Sequence, residues 1–178
     1  MSKRKMTRLR AQIMAGIQPV PSDADALFES IRAYLETRTG LPVELHFEPM
    51  PERTASGLTI RLADRVIIVV ERHTTTLHQL VILAHEIWHA LEGKCQGHPV
   101  REAAVAARSL TARLDLDAGA IRSLAARAHA DSAGAEEEAD AETFGLLLGN
   151  AFRPYLEVRP ASDGVAARIQ ASLGHRGA

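Results

Sequence analysis

The chain has 178 residues, of which 46% are hydrophobic and 24% are charged, and its formal net charge is −1. This length favours one domain with a core of its own. The composition is typical of a soluble globular protein and excludes a disordered or fibrous chain. A nearly neutral balance gives no general electrostatic basis for binding nucleic acid or a membrane surface, and we expect direct contact with neither.

The N-terminal segment, residues 1–21, is the one strongly basic stretch. Its cations are Lys3, Arg4, Lys5, Arg8 and Arg10. We interpret it as a solvated helix start in preference to an arm for an acidic partner. The compartment is indicated by Cys95, which is the only cysteine and therefore allows no intrachain disulfide. No run approaches the ~18 apolar residues of a membrane span, so we expect a cytoplasmic protein.

Two helices are predicted before residue 41. The first spans about 3–15 and stops at Gly16, ahead of two prolines. The second follows Ser22, a capping residue with Asp25 three positions later, and stops at Gly40. Its apolar stripe consists of Ala26, Phe28, Ile31 and Leu35.

Three strand patterns follow. Residues 43–48 alternate between apolar and polar side chains, which predicts a half-buried strand. Residues 57–62 also alternate, and Ala63 and Asp64 then separate them from an unbroken apolar run. We interpret these last two stretches as a hairpin whose second strand is buried on both faces. That second strand contains Val66, Ile67, Ile68, Val69 and Val70.

The rest of the chain has helical patterns. A helix from Thr76, which fits a capping box with Gln79, carries apolar residues at helical spacing up to Gly93. Further helices are predicted at about 100–114, 117–130, 135–151 and 162–173, with breaks at Gly134, Pro154 and Pro160. The class is therefore α+β: a small antiparallel sheet of about three strands, packed on the helix from Thr76 and followed by a mostly helical C-terminal half.

The helix from Thr76 carries the pattern H-E-x-x-H at His85, Glu86 and His89. Residues four apart lie one above the other on a helix, so the two imidazoles point to one place. A catalytic zinc ion takes three protein ligands and leaves one position for water. Glu86 lies about 100° around the helix, where it can take a proton from that water as a general base. The spacing thus predicts one Zn²⁺ per chain, with two of its ligands and the catalytic base.

A third ligand is expected on the helix predicted at 135–151, whose first turns are crowded with acids. Favourable interaction with the helix dipole explains Glu136 and Glu137. Glu138 and Glu142 instead lie along the edge of the apolar stripe, where a carboxylate needs a partner. One carboxylate could bind the metal while the one a turn later accepts the free N–H of a ligand histidine.

Two stretches in this order resemble the ImmA/IrrE family of zinc-dependent metallopeptidases. VIIVVERHTTTLHQLVILAHEIWHAL resembles that family's strand, polar loop and H-E-x-x-H helix, and EADAETFG resembles its E-x-x-A-x-x-F-A element. By this resemblance Glu138 is the third zinc ligand, and Glu142 takes a place often held by Asp or Asn. Trp88 stands where the family usually has Gly, so the floor beside His89 is expected to be bulkier. Gly145 stands where the family usually has Ala.

The resemblance implies a cytoplasmic metallopeptidase that cleaves a helix-turn-helix repressor encoded nearby. We find no helix-turn-helix in this chain, so the DNA-binding protein would be a separate partner. An open edge of the strand at 66–70 would let an extended substrate peptide pair with it. Tyr155 and His129 are candidate donors to the oxyanion.

Two alternatives stay open. One is a non-hydrolytic regulatory or toxin–antitoxin-type component that binds a transcription factor through the same zinc-containing domain. The other is a helical interaction protein with a fortuitous motif, since composition alone produces the pattern in about 0.03 of shuffled chains.

We expect a single domain over 1–178. Its parts are the basic segment 1–21, a helix and sheet at 22–75, the zinc-site helices at 76–151 with a helical insertion at about 100–134, and a C-terminal helix and tail at 152–178.

Overall fold

A computed structural model describes residues 3–51, 55–92 and 134–156. These ranges form four helices and three strands, and the predicted α+β class is confirmed. In chain order they are α1 (Lys3–Gly16), α2 (Ala24–Thr39), β1 (Val43–Glu48), β2 (Gly57–Arg61), β3 (Val66–Glu71), α3 (Thr76–Leu91) and α4 (Gly134–Leu156). The helices predicted at about 100–114, 117–130 and 162–173 lie outside the described residues. No helix within the described ranges is long and apolar enough to cross a bilayer.

Helices α2 and α3 each begin with a side-chain cap, one residue away from the predicted position. Asp23, and not Ser22, caps α2 by accepting the Ala26 N–H at 2.9 Å. Thr75, and not Thr76, caps α3 by accepting the N–H of His78 at 3.3 Å. The reason is the backbone, which is still extended at the actual cap residues and lets each oxygen turn toward the first helical turn.

The sheet has the strand order β1-β3-β2. β2 and β3 pair antiparallel as the predicted hairpin. β1 pairs parallel with β3, so the prediction of a wholly antiparallel sheet is wrong. β3 is therefore the central strand, with β1 hydrogen-bonded along one of its edges and β2 along the other. The predicted peptide capture by an open edge of Val66, Ile67, Ile68, Val69 and Val70 is therefore also wrong.

One face of the sheet packs against the helices. The side chains of Val66, Ile68 and Val70 belong to the same core cluster as the buried residues of α2, α3 and α4. Thr59 of β2 pairs with Ile68 in the antiparallel register, so its side chain lies on this face as well. β2 thereby presents Thr59 to α3 from a face that also carries Arg61, whose guanidinium donates to the Ala90 carbonyl oxygen of α3 at 3.4 Å.

α4 packs along α3 in the opposite direction, and two glycines allow the close approach. A Cβ on Gly145 would lie 3.0 Å from the Val81 carbonyl oxygen, and one on Gly149 would lie 2.6 Å from Val81 Cγ2. Pro154 lies inside the last turn of α4, so the break predicted there is wrong. Pro154 has no backbone N–H to donate, but it lies so near the end of the helix that α4 continues to Leu156.

Candidate metal centre

The site is built on a helix that is buried on most of its circumference. Between Leu80 and Ala90, α3 buries nine residues, because it lies between the sheet and α4. Two of the nine are ionisable: Glu86 is 1% exposed and His89 is 2% exposed. Burying such groups is unfavourable unless they find polar partners. The chemistry available to Glu86 and His89 therefore depends on their polar partners, which lie on β2 and α4.

Three side chains bring possible metal ligands together. His85 Nε2 lies 3.0 Å from His89 Nε2. The Glu138 carboxylate reaches both, with Oε1 3.1 Å from His85 Nε2 and Oε2 3.5 Å from His89 Nε2. One ligand atom from each residue falls within 4.8 Å of the others. The structure thus brings the three predicted ligands together, two from α3 and one from α4.

The donor set fits a divalent transition metal. Imidazole nitrogen and carboxylate oxygen bind zinc at about 2.0–2.2 Å, and neighbouring ligands of a tetrahedral ion then stand roughly 3.3 Å apart. The 3.0 Å between the two histidine nitrogens is close to that spacing. A site of two histidines and one glutamate also leaves one tetrahedral position open, as catalytic zinc sites do. These residues form a possible metal-binding group whose metal the donor set alone does not specify.

The carboxylate behind His89 belongs to Glu137. Its Oε1 lies 3.5 Å from His89 Nδ1, the ring nitrogen that does not face His85. Glu142, which was predicted to accept the free N–H of a ligand histidine, is exposed and lies on the wall of a cleft. The rotation of α4 about its own axis explains why Glu137 and not Glu142 lies beside the histidine. It directs Glu137 and Glu138 to the two ring nitrogens of His89, and Glu142 lies about one turn further along the helix.

Packing between α3 and α4 sets the position of Glu138. The Trp88 ring packs on Phe144, with centroids 5.2 Å apart, and both side chains are buried. The predicted bulk of Trp88 therefore lies in the core and not in the floor beside His89. A Cβ on Gly145 would lie 3.3 Å from His85 Cβ, so the missing side chain lets α4 lie directly against the ligand helix.

Glu86 is held by β2. The Thr59 hydroxyl lies 2.8 Å from Glu86 Oε2 and 3.1 Å from the Glu86 carbonyl oxygen. Gly57, two residues earlier on the same face of β2, leaves room for Oε1, since a Cβ there would be 2.5 Å from that atom. Glu86 thus faces β2, while the histidines on either side of it in the motif face α4.

A cleft of about 470 Å³ opens beside these residues. Side chains from about two successive turns of α3 form one wall of the cleft, and α4 forms the facing wall. The residues just before β2 form a third side. The lining consists of Ala55, Ser56, His78, Val81, Ile82, His85, Glu86, Glu138, Glu142, Gly145 and Leu146. Two predicted metal ligands and the predicted base therefore share one cavity.

Of the two predicted oxyanion donors, Tyr155 lies within the described residues and does not line this cleft. Tyr155 is 17 positions beyond Glu138 on α4, which places it roughly 26 Å along the axis at the usual helical rise. It is 39% exposed near the end of that helix, so its prediction as a donor is wrong. His129 lies outside the described residues.

Sequence reasoning missed three residues of the site: Gly57, Thr59 and Glu137. The acid run 136–138 was a signal for Glu137, but its assignment to the helix dipole concealed it. Comparison with protein families, curated proteins and solved structures finds no match to this chain. The geometry of the chain's own residues is therefore the ground for its function.

Proposed function

We propose that this protein is a zinc-dependent peptide hydrolase. The observation that carries the proposal is the convergence of His85, His89 and Glu138, of which His85 and Glu138 line the same cleft as Glu86. Two imidazoles and a carboxylate with a second carboxylate nearby are the residues that metal-assisted hydrolysis needs.

Each residue has a distinct part in the proposed reaction. His85, His89 and Glu138 would hold the ion, and Glu137 would orient His89 through Nδ1. A bound zinc ion supplies the positive charge that polarises a carbonyl group and makes a water molecule acidic. Glu86 accepts the proton of the attacking water and returns it to the departing amine. The burial of Glu86 keeps bulk water away from this proton transfer.

We further propose a protein substrate, a helix-turn-helix repressor encoded near this gene. The support is the resemblance of 66–91 and 138–145 to ImmA/IrrE metallopeptidases, together with an open cleft whose lining includes the exposed Leu146. The alternative that binds a transcription factor without cutting it uses the same metal and the same cleft. The chemistry at Glu86 separates the two.

The test starts with metal. Protein loaded with Zn²⁺ and then desalted is expected to retain about one zinc per chain. Cleavage is then assayed on an internally quenched peptide library and on the repressors encoded beside the gene, after co-expression. Wild type is expected to cut in the presence of zinc and to stop when a chelator removes it.

The decisive variant is Glu86→Gln, which keeps the shape of the side chain and removes the base. It is expected to retain zinc and to lose cleavage by at least about 100-fold. Glu29→Gln, on the exposed surface of α2, is the matched control and should behave like wild type. Cleavage by Glu86→Gln at the wild-type rate would refute the hydrolase. Repressor binding without cleavage by the zinc-loaded wild type would favour the alternative.

A further inference from the structure

We infer that strand β2 positions the Glu86 carboxylate, with Thr59 and Gly57 as its two positioning residues. This inference rests on the proposed function, in which Glu86 is the base. It goes beyond that function because it assigns the orientation of the base to a strand outside the H-E-x-x-H helix.

Thr59 fixes one carboxylate oxygen. Its hydroxyl lies within hydrogen-bond distance of Glu86 Oε2 and of the Glu86 carbonyl oxygen, at 2.8 and 3.1 Å. The hydroxyl has one hydrogen to donate, and the shorter of the two distances is the one to Oε2. Thr59 is buried, and a hydrogen bond to a carboxylate in such surroundings is stronger than one in water. The last rotatable bond of the glutamate is thereby held in one orientation.

Gly57 places the other oxygen. A Cβ at this position would lie 2.5 Å from Glu86 Oε1 and 2.7 Å from Ile82 Cγ2. Both separations are too short for any side chain, so Oε1 occupies the space that a side chain at 57 would take. Residues 57 and 59 lie on the same face of the strand. One oxygen is therefore bonded and the other sterically confined, which defines the plane of the carboxylate.

The composition of the sheet supports a positioning role over simple packing. The neighbouring strand presents Val66, Ile68 and Val70 to the helices, and all three are fully buried. A further apolar side chain at 59 would suit such a face. Instead, the glycine and the threonine lie where β2 meets Glu86, and a buried hydroxyl is costly unless it is used.

The kinetic test compares Thr59→Val with Thr59→Ser in the zinc-loaded, full-length protein. Valine keeps the branched shape but removes the donor, and serine keeps the donor. On the library peptide that wild type cuts fastest, Thr59→Val is expected to lower kcat by about 10- to 100-fold with KM nearly unchanged. Thr59→Ser should recover most of that loss, and zinc content should stay the same in all three proteins.

Crystal structures of the zinc-loaded wild type, Thr59→Val and Gly57→Ala give a readout independent of activity. The Glu86 carboxylate is expected to rotate or shift in both variants by more than about 0.5 Å. An unmoved carboxylate, or a Thr59→Val enzyme with wild-type kcat, would overturn the inference. If wild type cuts nothing, or Glu86→Gln cuts equally well, the proposed function fails instead, and the crystal structures alone decide whether β2 positions Glu86.

Discussion

α2 and α3 have the same length of 16 residues and begin in the same way, but they use their surfaces differently. α2 buries one stripe (Leu27, Phe28, Ile31 and Leu35) and leaves its other faces to solvent. α3 buries residues around most of its circumference, including Glu86 and His89. α2 is thus a stabilising helix of the ordinary amphipathic kind. α3 instead buries ionisable groups, whose partners on β2 and α4 build the site.

The largest expected effect comes from removing a ligand on α3. His89→Ala leaves two protein ligands, and the zinc content after desalting should fall from about one per chain to nearly none. His78→Ala is the matched control, because His78 lines the same cleft without belonging to the ligand group. Metal analysis with a circular dichroism spectrum for folding is the measurement. Full zinc retention by His89→Ala would contradict the assignment of the metal site to α3.

Truncating a core side chain on α2 should lower the stability of the protein but leave zinc binding intact. Leu35 is fully buried, so Leu35→Ala is expected to lower the free energy of unfolding by about 2–5 kcal/mol. The folded fraction should still bind one zinc, since the stripe of α2 does not line the site. Urea unfolding followed by zinc titration checks both points. Thr37→Ala, exposed on the same helix, is the control and should change stability by less than about 0.5 kcal/mol.

Two acids on α4 sharpen the comparison further. Glu137→Gln removes the charge facing His89 Nδ1 and should weaken zinc binding by about 10- to 100-fold. Glu142→Gln, on the cleft wall, should change zinc affinity much less. Competition with a chromogenic chelator measures both affinities. The reverse order of effects would restore Glu142 to the position predicted from the sequence.

The smallest effect concerns pH and the surface of α2. The hydrogen bond from Arg32 lowers the pKa of Glu29 below its ordinary value of 4.5. Because the folded-state pKa is lowered, the stabilisation is present above about pH 4.5 and is lost as the pH falls through the folded-state value. Glu29→Gln, which leaves the pairing of Arg32 with Glu36 in place, should therefore reduce the urea midpoint more at pH 7 than at pH 3. Equal reductions at both pH values would show that this exposed pair contributes nothing through charge.

The sequence predicted what depends on local periodicity. The hairpin of β2 and β3 and the placement of His85 and His89 on one helical face follow from spacing along the chain. Three of the four residues predicted for the stripe of α2 are buried, but Ala26 is exposed and Leu27 takes its place. The parallel pairing of β1 does not, because which edge of β3 it joins is a long-range choice. The apolar stripe of α4 indicated Glu138 and Glu142 alike, and the family resemblance selected Glu138. The exchange of Glu142 for Glu137 depends on how α4 is rotated against α3, which Gly145, Gly149 and the Trp88–Phe144 contact decide.

The position of Glu138 in the chain has a consequence for folding. Glu138 follows His89 by 49 positions, so the ligand group joins two distant parts of the chain. An ion bound there would join α3 to α4 in the folded protein, whereas the unfolded chain has no preformed site for it. Binding energy at the site would then add to folding energy and grow with free zinc concentration. The availability of the metal would then raise or lower the free energy of unfolding of the whole protein.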